Sequence, residues 1–234
     1  MSASAARLTE VQKTLPAGVR VTPVHQRTTL VDRVLDKLVA QGVTRAVVNV
    51  HYLADKMEAH LKQRKDIDII ISNERAALLE TGGGVIKALP LLGQDPFFII
   101  NTDVTWATAG DTTFAKMADA YDPNEMDALL LLADMHATLG FRGPGDFFLG
   151  HDGHVQRRGD KPSAPYVFAG THITRADLLK SYEAKPFSAN IYWNAMGRAG
   201  RLYGTVMSPF WMHGGDPAGR DEAEARLKTM GPGS

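Results

Sequence analysis

Two stretches combine residue types that suit chemistry: Glu80-Thr-Gly-Gly-Gly-Val-Ile-Lys and Phe97-Phe-Ile-Ile-Asn-Thr-Asp. Three consecutive glycines, Gly82 to Gly84, can set bare backbone N–H groups against a ligand that any Cβ would hold off. They lead into Val85, Ile86, Ala88 and Leu89, a short apolar helix whose positive end would face the same space. The apolar run Phe97 to Ile100 predicts a strand buried on both faces. It ends in Asn101, Thr102 and Asp103, at the carboxyl edge where open α/β sheets bind ligands. A glycine loop and a carboxylate on one rim suit a nucleotide with its metal. Glycine triplets also occur in ordinary turns, and an aspartate after a strand also caps helices, so spacing alone leaves both readings open.

The elements that must position these groups follow a strand–helix rhythm. Thr29 caps an amphipathic helix in which Leu30, Val31, Val34, Leu35, Leu38 and Val39 recur at helical spacing, and Gly42 stops it. Ala46 to Val50 predicts a strand, Leu53 to Leu61 a helix and Ile67 to Ile71 another strand. Thr113 to Tyr121 is helical, and Asp127 to Ala133 is a strand covered on both faces. Asp152-Gly153 marks a hairpin, Pro165 to Ile173 a strand through Gly170, and Arg175 to Leu179 the start of a helix. Ile191 to Ala199 predicts a helix ended by Gly200, Arg201 to Met207 a strand, and Asp221 to Lys228 a final exposed helix. This order indicates an α/β, mainly parallel sheet with right-handed crossovers. With no repeat or low-complexity linker, the 234 residues are expected to form one domain.

Composition narrows the function classes. Lys plus Arg and Asp plus Glu number 26 each, so the net charge is zero and nothing favours nucleic acid or an acidic membrane. There is no cysteine, which removes disulfides, thiol catalysis and zinc–thiolate sites. No apolar run reaches membrane-spanning length and no signal-peptide core is present, so a cytoplasmic protein, monomer or homodimer, is expected. His136, His151, His154 and His172 lack ligand-like spacing and are placed on the surface or in the hairpin. His51 either lines the cleft or is a satisfied polar residue, and Arg157 and Arg158 either meet a phosphate or end a solvated hairpin.

Several segments in order resemble the sugar-1-phosphate nucleotidyltransferases. They are Val47-Val-Asn-Val-His-Tyr-Leu, Glu80 to Gly93, Pro96 to Asp103, Gly145-Asp-Phe, Tyr166-Val-Phe-Ala-Gly and Phe210-Trp-Met-His-Gly-Gly-Asp-Pro. Within that family the likeness runs to small bacterial enzymes acting on N-acetylmuramate 1-phosphate or mannose 1-phosphate. The resemblance implies a Rossmann-like, three-layer α/β fold with a mixed, mainly parallel central sheet. It implies transfer of a nucleoside monophosphate from a nucleoside triphosphate, UTP favoured, to a sugar 1-phosphate, with release of pyrophosphate and Mg²⁺ as cofactor. The family's metal aspartate matches Asp103, and its second metal position is occupied by His213. The nucleotide loop matches Thr81, Gly82 and Gly83, with Asn101 beside it, and the sugar pocket matches Gly145, Asp146 and Gly170. Asn190 and Trp193 are assigned to the same pocket.

The N-terminal segment departs from the family pattern of a buried strand, a glycine-rich turn with arginine, and a Pro-Lys segment. Only Pro16-Ala-Gly-Val-Arg-Val-Thr-Pro-Val remains, giving Ala17 and Gly18 to the nucleotide and Arg20 to catalysis. The lysine is missing. The expectation is a transferase slower than the family norm; the alternative is a binding or regulatory protein that keeps the pockets without turnover.

Overall fold

The structure is a computed structural model that describes residues 29–106, 111–208, 210–214 and 217–230. Helix α1 (Leu30–Ala40) starts at Thr29, whose Oγ1 accepts from the Asp32 N–H at 3.2 Å while the Asp32 carboxylate accepts from the Thr29 N–H at 3.3 Å. This reciprocal cap satisfies two donors that a helix start leaves free. Val31, Val34, Leu35 and Leu38 form its buried stripe. Lys37 is buried as well: its Nζ donates to the Trp106 carbonyl at 2.9 Å and pairs with Asp111 at 3.6 Å. Burial pushes its pKa down to about 8, against the opposing pull of Asp111.

Strand β1 (Arg45–Val50), helix α2 (Ala54–Leu61) and strand β2 (Asp68–Asn73) form a parallel crossover unit, in register from Arg45 opposite Asp68 to Val50 opposite Asn73. Helix α3 (Glu80–Ala88) and a short turn at Leu89–Leu91 lead to β3 (Phe97–Ile100), then β4 (Val104–Trp106), α4 (Thr113–Ala120) and β5 (Ala128–Asp134). After the short β6 (Thr138–Leu139), β7 (Phe147–Leu149) and β8 (Val155–Arg157) make the expected hairpin, with Gly153 at φ 83°. The long β9 (Tyr166–Thr174), α5 (Ala176–Leu179), α6 (Asn190–Arg198), β10 (Leu202–Val206), β11 (Trp211–His213) and α7 (Pro217–Met230) complete the described chain.

The central sheet runs β10-β5-β9-β7-β8, with β3 also paired to β9. It is mixed: β3, β5, β7 and β10 share one direction, and β9 opposes them. β4, β11 and β6 form a separate three-stranded sheet, not foreseen as strands in the sequence because runs of two or three residues carry no readable alternation. Along β5 the side chains alternate between two cores. Leu129, Leu131 and Ala133 join Val31, Trp106, Phe114 and Met117, while Ala128, Leu130 and Leu132 join Ile86, Tyr192, Trp193 and Met196. Each fully buried leucine contributes about 2–3 kcal/mol from apolar burial, so β5 anchors both layers. β3 departs from expectation: all four of its residues are only half-buried. The reason is that it borders an open cleft.

His172, expected at the surface, is buried in β9 opposite Ile99 and Leu130. Burial drives its pKa from the ordinary value down to about 3, so the folded protein holds it neutral. Below about pH 6.5 the unfolded chain takes up a proton there that the folded chain refuses. Stability is therefore expected to fall as pH drops from about 6.5 toward about 3, by up to about 1.4 kcal/mol per pH unit from this residue. Urea melts of the parent and of His172→Gln across that range check this; parallel pH profiles would contradict it.

Candidate active-site cleft

A cleft of about 1040 Å³ lies between β1 and β3. Among the described residues each of these strands pairs on one side only, β1 with β2 and β3 with β9, and every residue of both lines the cleft. Further wall comes from α1, from one face of α3 between Glu80 and Ala88, and from Asp146, Phe147, Arg157, Phe168, His172 and the start of α6.

Asp103 lies just past β3, where the backbone turns into β4. The Gly214 N–H donates to its carbonyl at 2.8 Å, and the pairing of Val104 with His213 holds β11 alongside. This brings the His213 Nε2 to 3.8 Å from Asp103 Oδ2. Asp103 Oδ1 has no hydrogen-bond partner among the described residues, although it is shielded from solvent. Gly170, at φ 82° in β9, passes Val104 so closely that a Cβ would sit 2.8 Å from its side chain, and its carbonyl accepts from the Asn101 N–H at 2.7 Å. Glycine there lets β9 run beneath the Asn101–Asp103 turn.

The glycine run is not an open loop. Gly82, Gly83 and Gly84 are inside α3 and buried. The N–H groups of Gly82 and Gly83 donate to the Phe187 carbonyl at 2.8 and 3.3 Å, and neither residue lines the cleft. The expectation that these two present bare donors to a nucleotide is thereby corrected. Their role is close approach: a Cβ on Gly83 would lie 2.0 Å from the Lys185 carbonyl oxygen, and one on Gly82 2.4 Å from the Phe187 ring. Thr81 does border the cleft, and its Oγ1 accepts from the Ala189 N–H at 3.0 Å, tying α3 to the start of α6.

Asn49 and Glu74 set the pose of α3 and were not singled out in the sequence. The Asn49 amide donates to Glu74 Oε1 and, at 2.9 Å, to the Gly84 carbonyl, while Glu74 Oε2 accepts from the Leu79 N–H at 3.2 Å. Both are polar residues at the carboxyl ends of parallel strands, the same signal that marks Asp103. His51 satisfies both of its alternatives, lining the cleft while its Nδ1 lies 2.8 Å from the Glu74 carbonyl. Glu80 begins α3 at φ 58°, a left-handed conformation that costs a non-glycine residue about 1 kcal/mol. Glu80→Gly is expected to hold stability level or raise it by about 1 kcal/mol, read by thermal melting; a clear loss would show that the Glu80 side chain stabilises the turn.

On the opposite wall, the Asp146 carboxylate accepts from the Phe168 N–H at 3.0 Å, and Arg157 Nη1 donates to Asn190 Oδ1 at 2.7 Å. Trp193 is buried on the same wall, and its Nε1 has no acceptor among the described residues. Gly145 and Gly170 are buried behind this surface and do not border the cleft; they shape the backbone beneath Asp146 and Asn101. Thr81, Asn101, Asp103, Asp146, Asn190 and Trp193 thus come together, with His213 beside Asp103. Ala17, Gly18 and Arg20 lie outside the described residues.

Glu74, Glu80, Asp103 and Asp146 line the cleft against only Arg45 and Arg157, so its described surface is net acidic. Among the described residues no cluster of three metal-binding side chains occurs, and no helix is long and apolar enough to cross a membrane.

No family model matches the chain. Over 202 residues it is 43% identical to the N-acetylmuramate alpha-1-phosphate uridylyltransferase of Caulobacter vibrioides, an alignment covering 85% of this chain and 84% of that protein. It is 30% identical over 195 residues to the protein of the same name from Neisseria meningitidis serogroup B, covering 82% and 81%. Among solved structures, the inositol-1-phosphate CTP transferase from T. maritima matches with a TM-score of 0.66 over 97% of this chain and 94% of that one. At 13% identity that is a likeness of fold.

Proposed function

The chain belongs to the sugar-1-phosphate nucleotidyltransferase family, and from that premise we propose that it transfers uridylate from UTP to a sugar 1-phosphate of the N-acetylmuramate type. A phosphate oxygen of the sugar 1-phosphate attacks the α-phosphorus of UTP. The new O–P bond forms as the bond from the α-phosphorus to the bridging oxygen breaks, and pyrophosphate leaves with that electron pair. Such a reaction needs in-line placement and charge compensation more than covalent help from side chains.

The observation that carries this reading is Asp103. Its Oδ1 is sheltered and unpartnered, at the rim of a cleft that also holds Thr81, Asn101, Asp146, Asn190 and Trp193. A carboxylate with a free oxygen and a neighbouring imidazole fits a divalent cation whose other positions go to water and phosphate oxygens. Asp103 and His213 would hold Mg²⁺, which supplies charge neutralisation at the phosphates. The acidic lining makes this compensation necessary, because the described wall offers the triphosphate little positive charge of its own. Arg20, with Ala17 and Gly18, is assigned to the triphosphate from outside the described residues.

On the chain's side, Thr81 and Asn101 border the nucleoside half of the cleft, and Thr81 keeps α3 and α6 at a fixed separation. Asp146 and Asn190, each oriented by one hydrogen bond, offer their remaining acceptors and donors to sugar hydroxyls, with Trp193 as the apolar floor. Uridine is favoured because both relatives are named for uridylyl transfer. Calorimetric titration with each of the four nucleoside triphosphates and Mg²⁺ tests the base. UTP is expected to bind most tightly; tighter binding of GTP would overturn that choice.

A further inference from the structure

Arg157 is, among the described residues, the cleft-lining cation without a carboxylate partner; Arg45, the other, is paired with Asp68 at 2.9 Å. It is held from two sides. Its Nη1 donates to Asn190 Oδ1 at 2.7 Å, and its guanidinium carbon stands 5.2 Å from the centroid of the buried Phe147 ring. The guanidinium is therefore oriented in advance, with most of its five N–H donors free of acceptors among the described residues. On the same wall Trp193, whose ring packs against Phe147, carries a buried Nε1 without a partner among the described residues. Buried polar atoms are normally satisfied, so it points to a polar ligand there.

Position separates this cation from the reacting phosphates. Arg157 pairs with Phe147, which pairs with Tyr166 near one end of β9. Asp103 belongs to the turn that meets β9 at Gly170, through the Asn101 hydrogen bond. Tyr166 and Gly170 are four strand steps apart, which is about 13 Å. A sugar 1-phosphate would cross that interval only with its C1 phosphate toward Asp103 and a substituent reaching from the far side of the ring toward Arg157.

We infer that Arg157, positioned by Asn190 and Phe147, selects sugar 1-phosphates that carry a carboxylate remote from the reacting phosphate. This rests on the reading of the cleft as a sugar 1-phosphate site. A guanidinium takes a carboxylate through two parallel N–H···O bonds, which a neutral hydroxyl cannot reproduce. The carboxylates that line the cleft, Asp146 among them, disfavour an anion elsewhere, which makes Arg157 the determinant of register as well as of affinity.

The test compares N-acetylmuramate 1-phosphate with N-acetylglucosamine 1-phosphate, which lacks the lactyl carboxylate, and also the two free sugars. Each is titrated calorimetrically into the full chain with Mg²⁺. Arg157→Gln is expected to weaken binding of the acidic sugar phosphate on the order of 10- to 100-fold, the size of a charge-assisted contact, and to leave the neutral one unchanged. Arg157→Lys, which keeps the charge and loses the fork, should recover part of that loss and covers the case in which the Gln variant melts early. Equal losses for both sugar phosphates would mean that Arg157 meets the shared phosphate, and would overturn the inference. So would a parent protein with no preference for the acidic sugar. Arg157-dependent binding of the free acidic sugar without any nucleotidyl transfer would uphold the inference and sink the transferase reading. Transfer without carboxylate preference would do the reverse.

Discussion

Asp103→Asn is expected to lower metal-dependent transfer roughly 10²- to 10³-fold, the usual cost of losing one electrostatic group at a reacting phosphate or oxyanion. The substitution is nearly isosteric but removes the charge. Oδ1 has no protein partner among the described residues to lose, and the Gly214 contact is to the Asp103 backbone. The melting temperature should therefore stay close to the parent's. The affinity for Mg²⁺–UTP should drop, while nucleoside without phosphates should bind as before, because Thr81 and Asn101 are untouched. Titration of Mg²⁺ against bound UTP in both proteins reads the effect. Equal metal dependence would move the metal away from Asp103, and an equal fall in nucleoside binding would mean that the residue is structural.

Gly83→Val is expected to cost stability rather than selectivity. The added Cβ would stand 2.0 Å from the Lys185 carbonyl oxygen and 2.9 Å from its carbon, and backbone cannot swing aside as a side chain can. Relieving the clash means separating α3 from the 185–187 segment, which also breaks the hydrogen bonds from Gly82 and Gly83 to Phe187. A loss of at least about 3 kcal/mol follows, or roughly 6–12 °C in melting temperature for a chain of this size. Gly197→Ala is the control: it is in α6, where among the described residues only Leu202 would come near the added Cβ, at 3.8 Å. Its helix propensity should raise stability by about 1 kcal/mol. A Gly83→Val protein that melts like the parent yet fails to bind nucleoside would restore a direct ligand role for the glycines.

The contrast between Gly83 and Asp103 shows how far the sequence could be read. The elements with strong periodicity were legible. The α1 stripe, the apolar β5 and the Asp152-Gly153 hairpin each carry a local pattern that tertiary structure had no reason to override. The position of Asp103 on the cleft rim was legible because a polar residue ending an apolar strand sits at the carboxyl edge of the sheet, although the spacing left a helix cap equally open. The glycines were misread because a glycine permits two kinds of close approach, to a ligand or to the protein's own backbone, and the residue type does not distinguish them. Only the position of Lys185 and Phe187, far along the chain, decides it. The same holds for the buried His172, which a strand can carry inward or outward, and for Arg157, whose partner Asn190 lies 33 positions further along the chain. The Asn49–Glu74 pair was hidden because its members sit on separate strands and bond through α3.

Pyrophosphate release from the full chain is the most direct measurement of what the cleft does. With UTP, N-acetylmuramate 1-phosphate and Mg²⁺ together, release is expected at a rate below about 1 per second, the lower end of the ordinary enzyme range, because in the sequence Arg20 stands without the lysine that the family pattern leads one to expect. Omitting the sugar phosphate or the metal should abolish it, and replacing Asp103 by Asn should lower it by the roughly 10²- to 10³-fold given above. Tight binding of UTP and of the sugar phosphate with no release under any pairing of triphosphate and sugar 1-phosphate would contradict the transferase reading and leave a binding protein built on the same fold.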